Sequence, residues 1–456
     1  EWRNTVPEPG QSPNVPLPTA QRFQLANGLP VYLVESHDLP IGYASLVSRW
    51  GNATDPADRP GLAGLTLDML DEGTSHRDGL GVARDIESVG GSLSTSAGAD
   101  GSSVSVAAPA PELGPAMSVL SDVVRSPAFP PDELERVRGE YLVAQQQAHD
   151  DPSAIASTVM SRELFGGQHP FGQVGADVAR GLSAITPEDL QRFHQAAFNP
   201  QTSALILAGD LTAEQARTLA EENFGSWRGT GTNPPPLAPP TPSPERVFMV
   251  DQPGAGQSTV LLAQPGVRRA DPDLPKLMVM NTVLGDGFNG RINLNLRERH
   301  GYSYGAYSSL STGRDFGLIT LETNTQTEVT GAAIQQLLAE VAAIREAPVS
   351  PEELAVAKDS MRRSLPVSFI TSSDVASSVG ELFIYDLPPD YYQRLPAEIA
   401  DIDAADVQAV AQAHLHPDQI KIIAVGDRAQ LDPQFAEAAL GPIAYRTSDG
   451  APSPQE

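Results

Sequence analysis

The stretch 185-ITPEDLQRFHQAAFNPQTSALILAGD-210 is matched 217 residues further on by 402-IDAADVQAVAQAHLHPDQIKIIAVGD-427. In each copy, acidic residues follow the start of a predicted helix, where the helix dipole stabilises negative charge. Each helix ends near a proline, and an apolar strand closing in Gly-Asp follows. A second pair, 131-PDEL-134 and 351-PEEL-354, begins further helices with Pro in the first turn. Matches in the same order at nearly one spacing indicate two homologous halves.

The segment between the halves is rich in proline and reads GTGTNPPPLAPPTPSP from Gly229. Such a segment forms neither a helix nor an inner strand, and it is typical of a semi-rigid spacer. We therefore predict a first half at 19–228, a spacer at 229–245 and a second half at 246–446. The Pro-rich start, 1–18, is expected to be extended, and the tail, 447–456, is expected to be flexible.

Composition excludes several classes of protein. A chain of 456 residues exceeds the size at which one hydrophobic core stops growing, and no apolar run of 18 residues encodes a membrane span. The net charge of -27 argues against nucleic-acid binding. Solubility explains the acidity, and a preference for basic peptides is the alternative. The absence of cysteine excludes thiol catalysis, thiolate zinc sites and disulfides.

The fold class follows from the order of the predicted elements within the first half. Residues 29–34 and 43–48 are predicted to pair as a hairpin, and helices and a further strand follow. Adjacent strands, then helices, then a strand again indicate an α+β fold rather than a doubly wound parallel sheet. The helices are predicted at 62–70, 80–89 and 112–124, and the strand at 104–108.

Five short motifs, spread over almost the whole chain, resemble those of one family in order. They are NGLPVYLV at 27–34, GNA at 51–53 leading into GLA at 61–63, LDEGT at 70–74, LFGGQHPF at 164–171 and LRERHGYSY at 296–304. Together with the duplication they resemble the M16 family of metallopeptidases, which includes insulinase and mitochondrial processing peptidase. The resemblance implies two α+β halves of the LuxS and processing-peptidase type, and two such chains closing around a chamber.

The zinc motif of the catalytic members is missing from the matching helix. Those members carry H-x-x-E-H, in which two histidines four residues apart bind zinc and the glutamate activates water. Here Gly64 and Asp68 stand at the histidine positions, and Leu67 stands at the glutamate position. The third ligand, a glutamate on a later helix, is expected near 144–147, which reads AQQQ. The resemblance therefore implies no metal ligands in this chain.

The histidines do not suggest a different zinc site. Of the eight, only His414 and His416 form a close pair, and they stand at a predicted helix end where histidine commonly meets the last carbonyl groups. We expect both to be structural. His169, in a Gly-Gly-Gln-His-Pro turn, is expected to hold that turn.

The second half retains an arginine and a tyrosine, Arg297 and Tyr304, at the spacing found in the family. The family's C-terminal half contributes this pair opposite the zinc. A tyrosine hydroxyl can donate to the oxyanion of a tetrahedral intermediate, and an arginine can hold a neighbouring substrate carbonyl. Alternatively, Arg297 is a solvated charge and one tyrosine belongs to the core. Tyr302 competes for the tyrosine role, but the family usually has an apolar residue there, so we predict Tyr304.

Two further segments resemble family features around the substrate. GDGFNGR at 285–291 resembles the glycine-containing approach to the arginine helix, and GGSLS at 90–94 resembles a turn and an edge strand. Active chains pair that edge with an extended substrate through backbone hydrogen bonds. In a chain without zinc, this edge is idle or only structural.

These features predict the zinc-free subunit of a heterodimeric M16B zinc metalloendopeptidase that degrades peptides. Alone it is inactive, and the cofactor zinc belongs to a partner with H-x-x-E-H. The alternative is a non-enzymatic peptide-binding protein or a structural core subunit of a larger complex. Leu67 argues against a self-sufficient homodimeric peptidase, because its side chain cannot accept a proton. The missing initiator Met and the lack of cysteine favour the bacterial periplasm, with the cytoplasm as the alternative.

Overall fold

The computed structural model describes residues 17–453, so nearly all of the predicted extended segment, 1–18, lies outside the described residues. The described chain forms two six-stranded sheets. The strands are β1 (Gln21–Gln24), β2 (Pro30–Glu35), β3 (Ile41–Ser48), β4 (Ser92–Ala97), β5 (Ser102–Pro109), β6 (Ser203–Gly209), β7 (Val247–Asp251), β8 (Gln257–Gly266), β9 (Ser303–Thr312), β10 (Gly317–Gln326), β11 (Lys421–Gly426) and β12 (Ile443–Arg446).

Both halves also contain helices. They are α1 (Leu62–Asp68), α2 (Gly79–Ser88), α3 (Leu113–Arg125), α4 (Pro131–Ala148), α5 (Pro152–Phe165), α6 (Ala176–Ala184), α7 (Pro187–Ala197), α8 (Ala213–Phe224), α9 (Leu274–Leu284), α10 (Arg291–Asn293), α11 (Thr330–Glu346), α12 (Pro351–Ser364), α13 (Ser372–Ile384), α14 (Tyr391–Asp401), α15 (Ala404–His414) and α16 (Arg428–Glu437). A π-helical turn, Leu294–Arg299, continues α10. Within residues 17–453, no helix is long and apolar enough to cross a membrane.

The order of five strands repeats between the halves, and only the outer strands β1 and β12 differ; the repeat confirms the α+β class and the duplication. The first sheet runs β1-β2-β6-β3-β5-β4, and the second runs β12-β7-β11-β8-β10-β9. The matched helix starts use the same device, because Thr186 with Asp189 and Asp403 with Asp406 each form a reciprocal capping box. The two copies therefore place β6 and β11, the strands after these helices, at equivalent inner positions of their sheets.

The predicted hairpin of 29–34 with 43–48 is wrong, because β6 lies between the two strands. Leu205 of β6 lies opposite Val31 of parallel β2 and opposite Leu46 of antiparallel β3. All seven residues of β6 are buried, so this strand needs neighbours on both edges and cover on both faces. A central position supplies both.

The two halves exchange a helix. On one face of each sheet, helices of the same half form the main core. On the opposite face of the second sheet lies α5 from the first half, where Ile155 and Val159 pack against Phe248 and Ile423. On the opposite face of the first sheet lies α13 from the second half. Each half therefore completes the other, although the spacer divides them along the chain.

The spacer and the tail both lie against folded structure. Residues 229–245 contain no helix or strand, and the Ser243 amide donates to the Glu163 carbonyl of α5 at 2.9 Å. The described part of the tail, 447–453, turns back along β12, and its predicted flexibility stays a prediction. There the Ser453 amide donates to the Tyr445 carbonyl at 3.1 Å.

Candidate functional site

The resemblance places the zinc motif of catalytic relatives on α1, and this helix is anchored by a buried carboxylate. Asp55 accepts hydrogen bonds from the amides of Gly61 at 2.8 Å and Ala63 at 2.9 Å, at the amino end of α1. Burial raises the pKa of Asp55 to about 7, although these amides oppose the shift. Leu67 lies within the first-half core, fully enclosed by apolar side chains.

A tyrosine from α4 fills the space beside Gly64 and Asp68, the two positions at which the resemblance places histidines. The Tyr141 hydroxyl donates to Asp68 Oδ2 at 2.7 Å, and a Cβ built on Gly64 would lie 3.0 Å from the same hydroxyl oxygen. Burial and the neighbouring Asp68 raise the pKa of Tyr141 above its usual range.

The side chains at this position do not fit zinc. Gly64 offers no ligand, Leu67 offers no base, and the Asp68 oxygen already accepts from Tyr141. The segment 144–147, one turn beyond Tyr141 on α4, carries no carboxylate. Anywhere in residues 17–453, no three His, Asp or Glu side chains come together as a set of metal ligands.

Arg297 lies in the π-helical turn after α10, a feature often found at functional sites. Its guanidinium carbon lies 4.4 Å from the ring centroid of Phe288, and its Nε lies 3.6 Å from a Glu298 oxygen. About a third of the side chain, 35%, is exposed. The start of this helical segment is fixed by Arg291, which binds both oxygens of Glu353 at 2.6 and 2.8 Å.

Tyr304, not Tyr302, projects from the protein surface. Tyr302 precedes β9, packs partly against the second-half core and stacks on His300 with ring centroids 4.9 Å apart. Tyr304 is the second residue of β9 and is 91% exposed. The predicted alternative, in which one of these tyrosines belongs to the core, therefore applies to Tyr302.

Tyr304 lines a recess of about 430 Å³ on the face of the second sheet that α5 covers. Strand residues of β8, β9 and β10 form its floor, and α5 forms one wall. Its lining includes Tyr304, Tyr307, Glu322, Asn324, Gln257 and Ser153. Arg297 is not part of this lining, so the structure does not bring the two predicted residues together around one pocket.

Other predicted features lie away from this recess. The predicted edge strand, 90–94, contains the start of β4, which ends the first sheet and pairs with β5 alone among the described strands. His169 Nδ1 accepts from the Phe171 amide at 3.2 Å and so holds its turn, as predicted. His414 Nε2 lies 3.0 Å from Asp273 Oδ2, which indicates the predicted structural role.

Sequence reasoning missed three residues of these sites. Tyr141 is invisible without the packing of α4 on α1, although it stands one helical turn before the expected third-ligand position. Tyr307 and Glu322 are opposite each other across β9 and β10, in a register that runs unbroken from the turn between the two strands to Thr323 and Ala306. The sequence alone did not predict this pairing.

Comparison with known proteins covers both halves. Residues 31–169 match the model of insulinase (peptidase family M16), and residues 184–361 match the model described as the peptidase M16 inactive domain. A non-peptidase homolog of Helicobacter pylori is 25% identical over 88% of this chain and 92% of its own length. An uncharacterized zinc protease of Mycobacterium leprae is 26% identical over 93% of this chain and 92% of its own length.

Solved structures agree with the sequence comparison. The crystal structure of a peptidase M16 inactive domain from Pseudomonas fluorescens has a TM-score of 0.81 and 25% identity, covering 90% of this chain and 98% of that chain. A protease from Helicobacter pylori has the same TM-score of 0.81 at 16% identity, covering 90% of this chain and 100% of its own, which shows the shared fold. The strand order, the two matched domains and the altered zinc motif of the present chain agree on one assignment. The chain belongs to the M16 family, as a non-catalytic member.

Proposed function

We propose that this chain is the zinc-free subunit of a two-chain M16 peptidase and presents Arg297 and Tyr304 to a zinc site in its partner. The observation that carries the proposal is the exposure of Tyr304. This residue is 91% exposed and lines a recess. Tyr307, which is 43% exposed, lines the same recess, and neighbouring exposed aromatic side chains along a groove are typical of a binding site. The filled zinc-motif position in the first half supports a division of labour between two chains.

The proposed roles follow from the chemistry of the two side chains. The zinc of the partner supplies the activated water. The Tyr304 hydroxyl donates to the oxygen of the scissile carbonyl, where negative charge develops as the water attacks. Arg297, steadied by the Phe288 ring, donates to a neighbouring substrate carbonyl and fixes the register of the peptide.

The test is a reconstitution assay. The chain is mixed with an M16 partner that carries H-x-x-E-H, and turnover of an unfolded peptide is measured with the zinc content of the mixture. Tyr304→Phe removes a donor from the oxyanion and is expected to lower kcat by about a hundredfold. Arg297→Ala is expected to raise KM as well. Tyr302→Phe is the matched control and retains turnover. Unchanged turnover in both the Arg297 and Tyr304 variants rejects the proposal.

A second candidate is a non-enzymatic peptide-binding or structural subunit, and one relative favours it. The Helicobacter pylori protein is named a non-peptidase homolog. Under this alternative, the chain purifies from its own cells without a zinc-bearing M16 chain. Copurification with an H-x-x-E-H subunit in a stable one-to-one complex favours the peptidase instead.

A further inference from the structure

We propose that the recess beside Tyr304 binds the side chain of a Lys or Arg residue and so selects basic peptides. This inference rests on the proposed function and specifies the substrate class of the same site. It is carried by three side chains, Tyr304, Tyr307 and Glu322, which line one recess of about 430 Å³.

The floor of the recess is a row of residues in register across three strands. Glu322 of β10 lies opposite Leu261 of β8 on one side and opposite Tyr307 of β9 on the other. Directly opposite residues on one sheet face lie close enough for their side chains to contact one another. The carboxylate therefore lies between a buried aliphatic side chain and an exposed phenol ring.

The charge of the recess comes from Glu322 alone. The remaining lining residues carry hydroxyl, amide, aromatic or apolar groups; they are Ser153, Ala156, Ser157, Gln257, Thr259, Leu261, Tyr304, Gly305, Tyr307, Thr323 and Asn324. Within residues 17–453, no Lys, Arg or His lies within ion-pair distance of the Glu322 carboxylate. An exposed carboxylate without a cation of its own chain is available to a cation from outside.

The aromatic residues add a second attraction for a cation. Tyr304 and Tyr307 are 91% and 43% exposed, so both rings present surface to a ligand. The faces of aromatic rings attract ammonium and guanidinium groups. The aliphatic stem of Lys or Arg can lie against these rings while its charged end reaches the carboxylate.

An anionic ligand fits the recess less well. The amino end of α5 forms part of the wall, and a free helix amino terminus attracts anions. Here, however, Asp151 already accepts from the amides of Ser153 at 2.7 Å and Ala154 at 3.2 Å. The helix end is thereby occupied, and Glu322 repels a second negative charge.

The test uses the full zinc-free chain and two fluorescent peptides that differ only in one position, Lys or norleucine. Anisotropy titrations at low salt give the two dissociation constants. We expect the Lys peptide to bind about tenfold more tightly, which is the size of a cation–π contact combined with a partly exposed ion pair. Glu322→Gln and Tyr307→Leu each reduce this preference, and Glu322→Lys reverses it toward a peptide with Glu at that position.

Glu328→Gln is the matched control, because Glu328 is exposed on the turn after β10 and lies outside the recess. It removes the same charge and is expected to retain the preference. Equal affinity of the unmodified chain for both peptides, absence of binding, or a preference that survives Glu322→Gln overturns the inference.

The two proposals fail in different measurements. In the reconstituted pair, Glu322→Gln is expected to lower the ratio of turnover of the Lys peptide to turnover of the norleucine peptide, whereas Tyr304→Phe lowers turnover of both peptides. If Tyr304→Phe lowers turnover and Glu322→Gln affects both peptides equally, only the selection of basic peptides is rejected. If Tyr304→Phe has no effect on turnover, the proposed function itself is rejected.

Discussion

The hydroxyl of Tyr141 donates to Asp68 Oδ2 at 2.7 Å and thereby joins α4 to α1, the two helices on which the resemblance places the zinc ligands of catalytic relatives. A hydrogen bond to a carboxylate thus links elements that a metal ion would otherwise link. Because Tyr141 also fills the space over Gly64, the altered motif is part of a packed structure rather than an open cavity.

We predict that Tyr141→Phe destabilises the protein by about 1–3 kcal/mol, since it leaves a partly buried carboxylate without its donor. Urea unfolding followed by circular dichroism measures the change. Asp68→Asn keeps an oxygen acceptor for the Tyr141 hydroxyl and is expected to cost less. Equal losses in both variants would show that packing, not the hydrogen bond, stabilises this contact.

Restoring the zinc motif is predicted to fail. In the triple variant Gly64→His, Leu67→Glu and Asp68→His, the new imidazole at 64 meets Tyr141, and the new carboxylate at 67 lies in the apolar core. Burying an unpaired carboxylate costs several kcal/mol, roughly the scale of the stability of a domain.

The triple variant also lacks a third ligand near 144–147. Zinc stoichiometry and peptide turnover, measured alone and with a partner, are expected to be no higher than those of the unmodified chain. Leu67→Met is the control for packing at this position, because it keeps the volume without adding charge. Strong turnover by the triple variant alone would mean that the motif has been assigned to the wrong residues.

The sequence predicted what depends on neighbours along the chain. The helices that begin near Ile185 and Ile402 were predicted from their acidic first turns, and β6 and β11 followed as expected. What depended on distant residues was not predictable. The insertion of β6 between β2 and β3 and the exchange of α5 and α13 are decided by which buried faces meet in three dimensions.

The candidate site also has a part that the sequence predicted and a part that it could not predict. The resemblance distinguished Tyr304 from Tyr302, and the structure places Tyr304 at the surface and Tyr302 against the core. The catalytic role of Arg297 and Tyr304 stays a prediction. The sequence could not assign Tyr307 and Glu322 to the same site, because only the register of β9 on β10 brings these two residues together.

The Arg291–Glu353 ion pair predicts a dependence of stability on pH. The hydrogen bonds from Arg291 lower the pKa of Glu353 from 4.5 to about 2. Because the pKa is lower in the folded chain, the pair stabilises the protein above pH 4.5 and loses this contribution as the pH falls toward 2.

The urea midpoint is therefore expected to fall more steeply between pH 5 and about pH 3 in the unmodified chain than in Glu353→Gln. Glu352→Gln, which changes the neighbouring exposed residue, serves as the control and keeps the steeper fall. Parallel curves for all three proteins would contradict the role of this pair.

The helix exchange predicts that the two halves unfold together. On α13, Val379 is 5% exposed and lies with Val375 and Phe383 against Val47 and Ile206 of the first sheet. Each such apolar side chain contributes about 1.5–3 kcal/mol by its burial. Val379→Asp therefore weakens the first sheet although the substitution lies in the second half, and a loss of roughly 3–5 kcal/mol is expected. Scanning calorimetry should show one transition at a lower temperature.

Val356→Asp is the matched control, because Val356 on α12 is 54% exposed. Its substitution is expected to leave the transition temperature within a degree or so of that of the unmodified chain. Two separate transitions in Val379→Asp, with only the second half destabilised, would mean that the exchanged helix does not couple the halves.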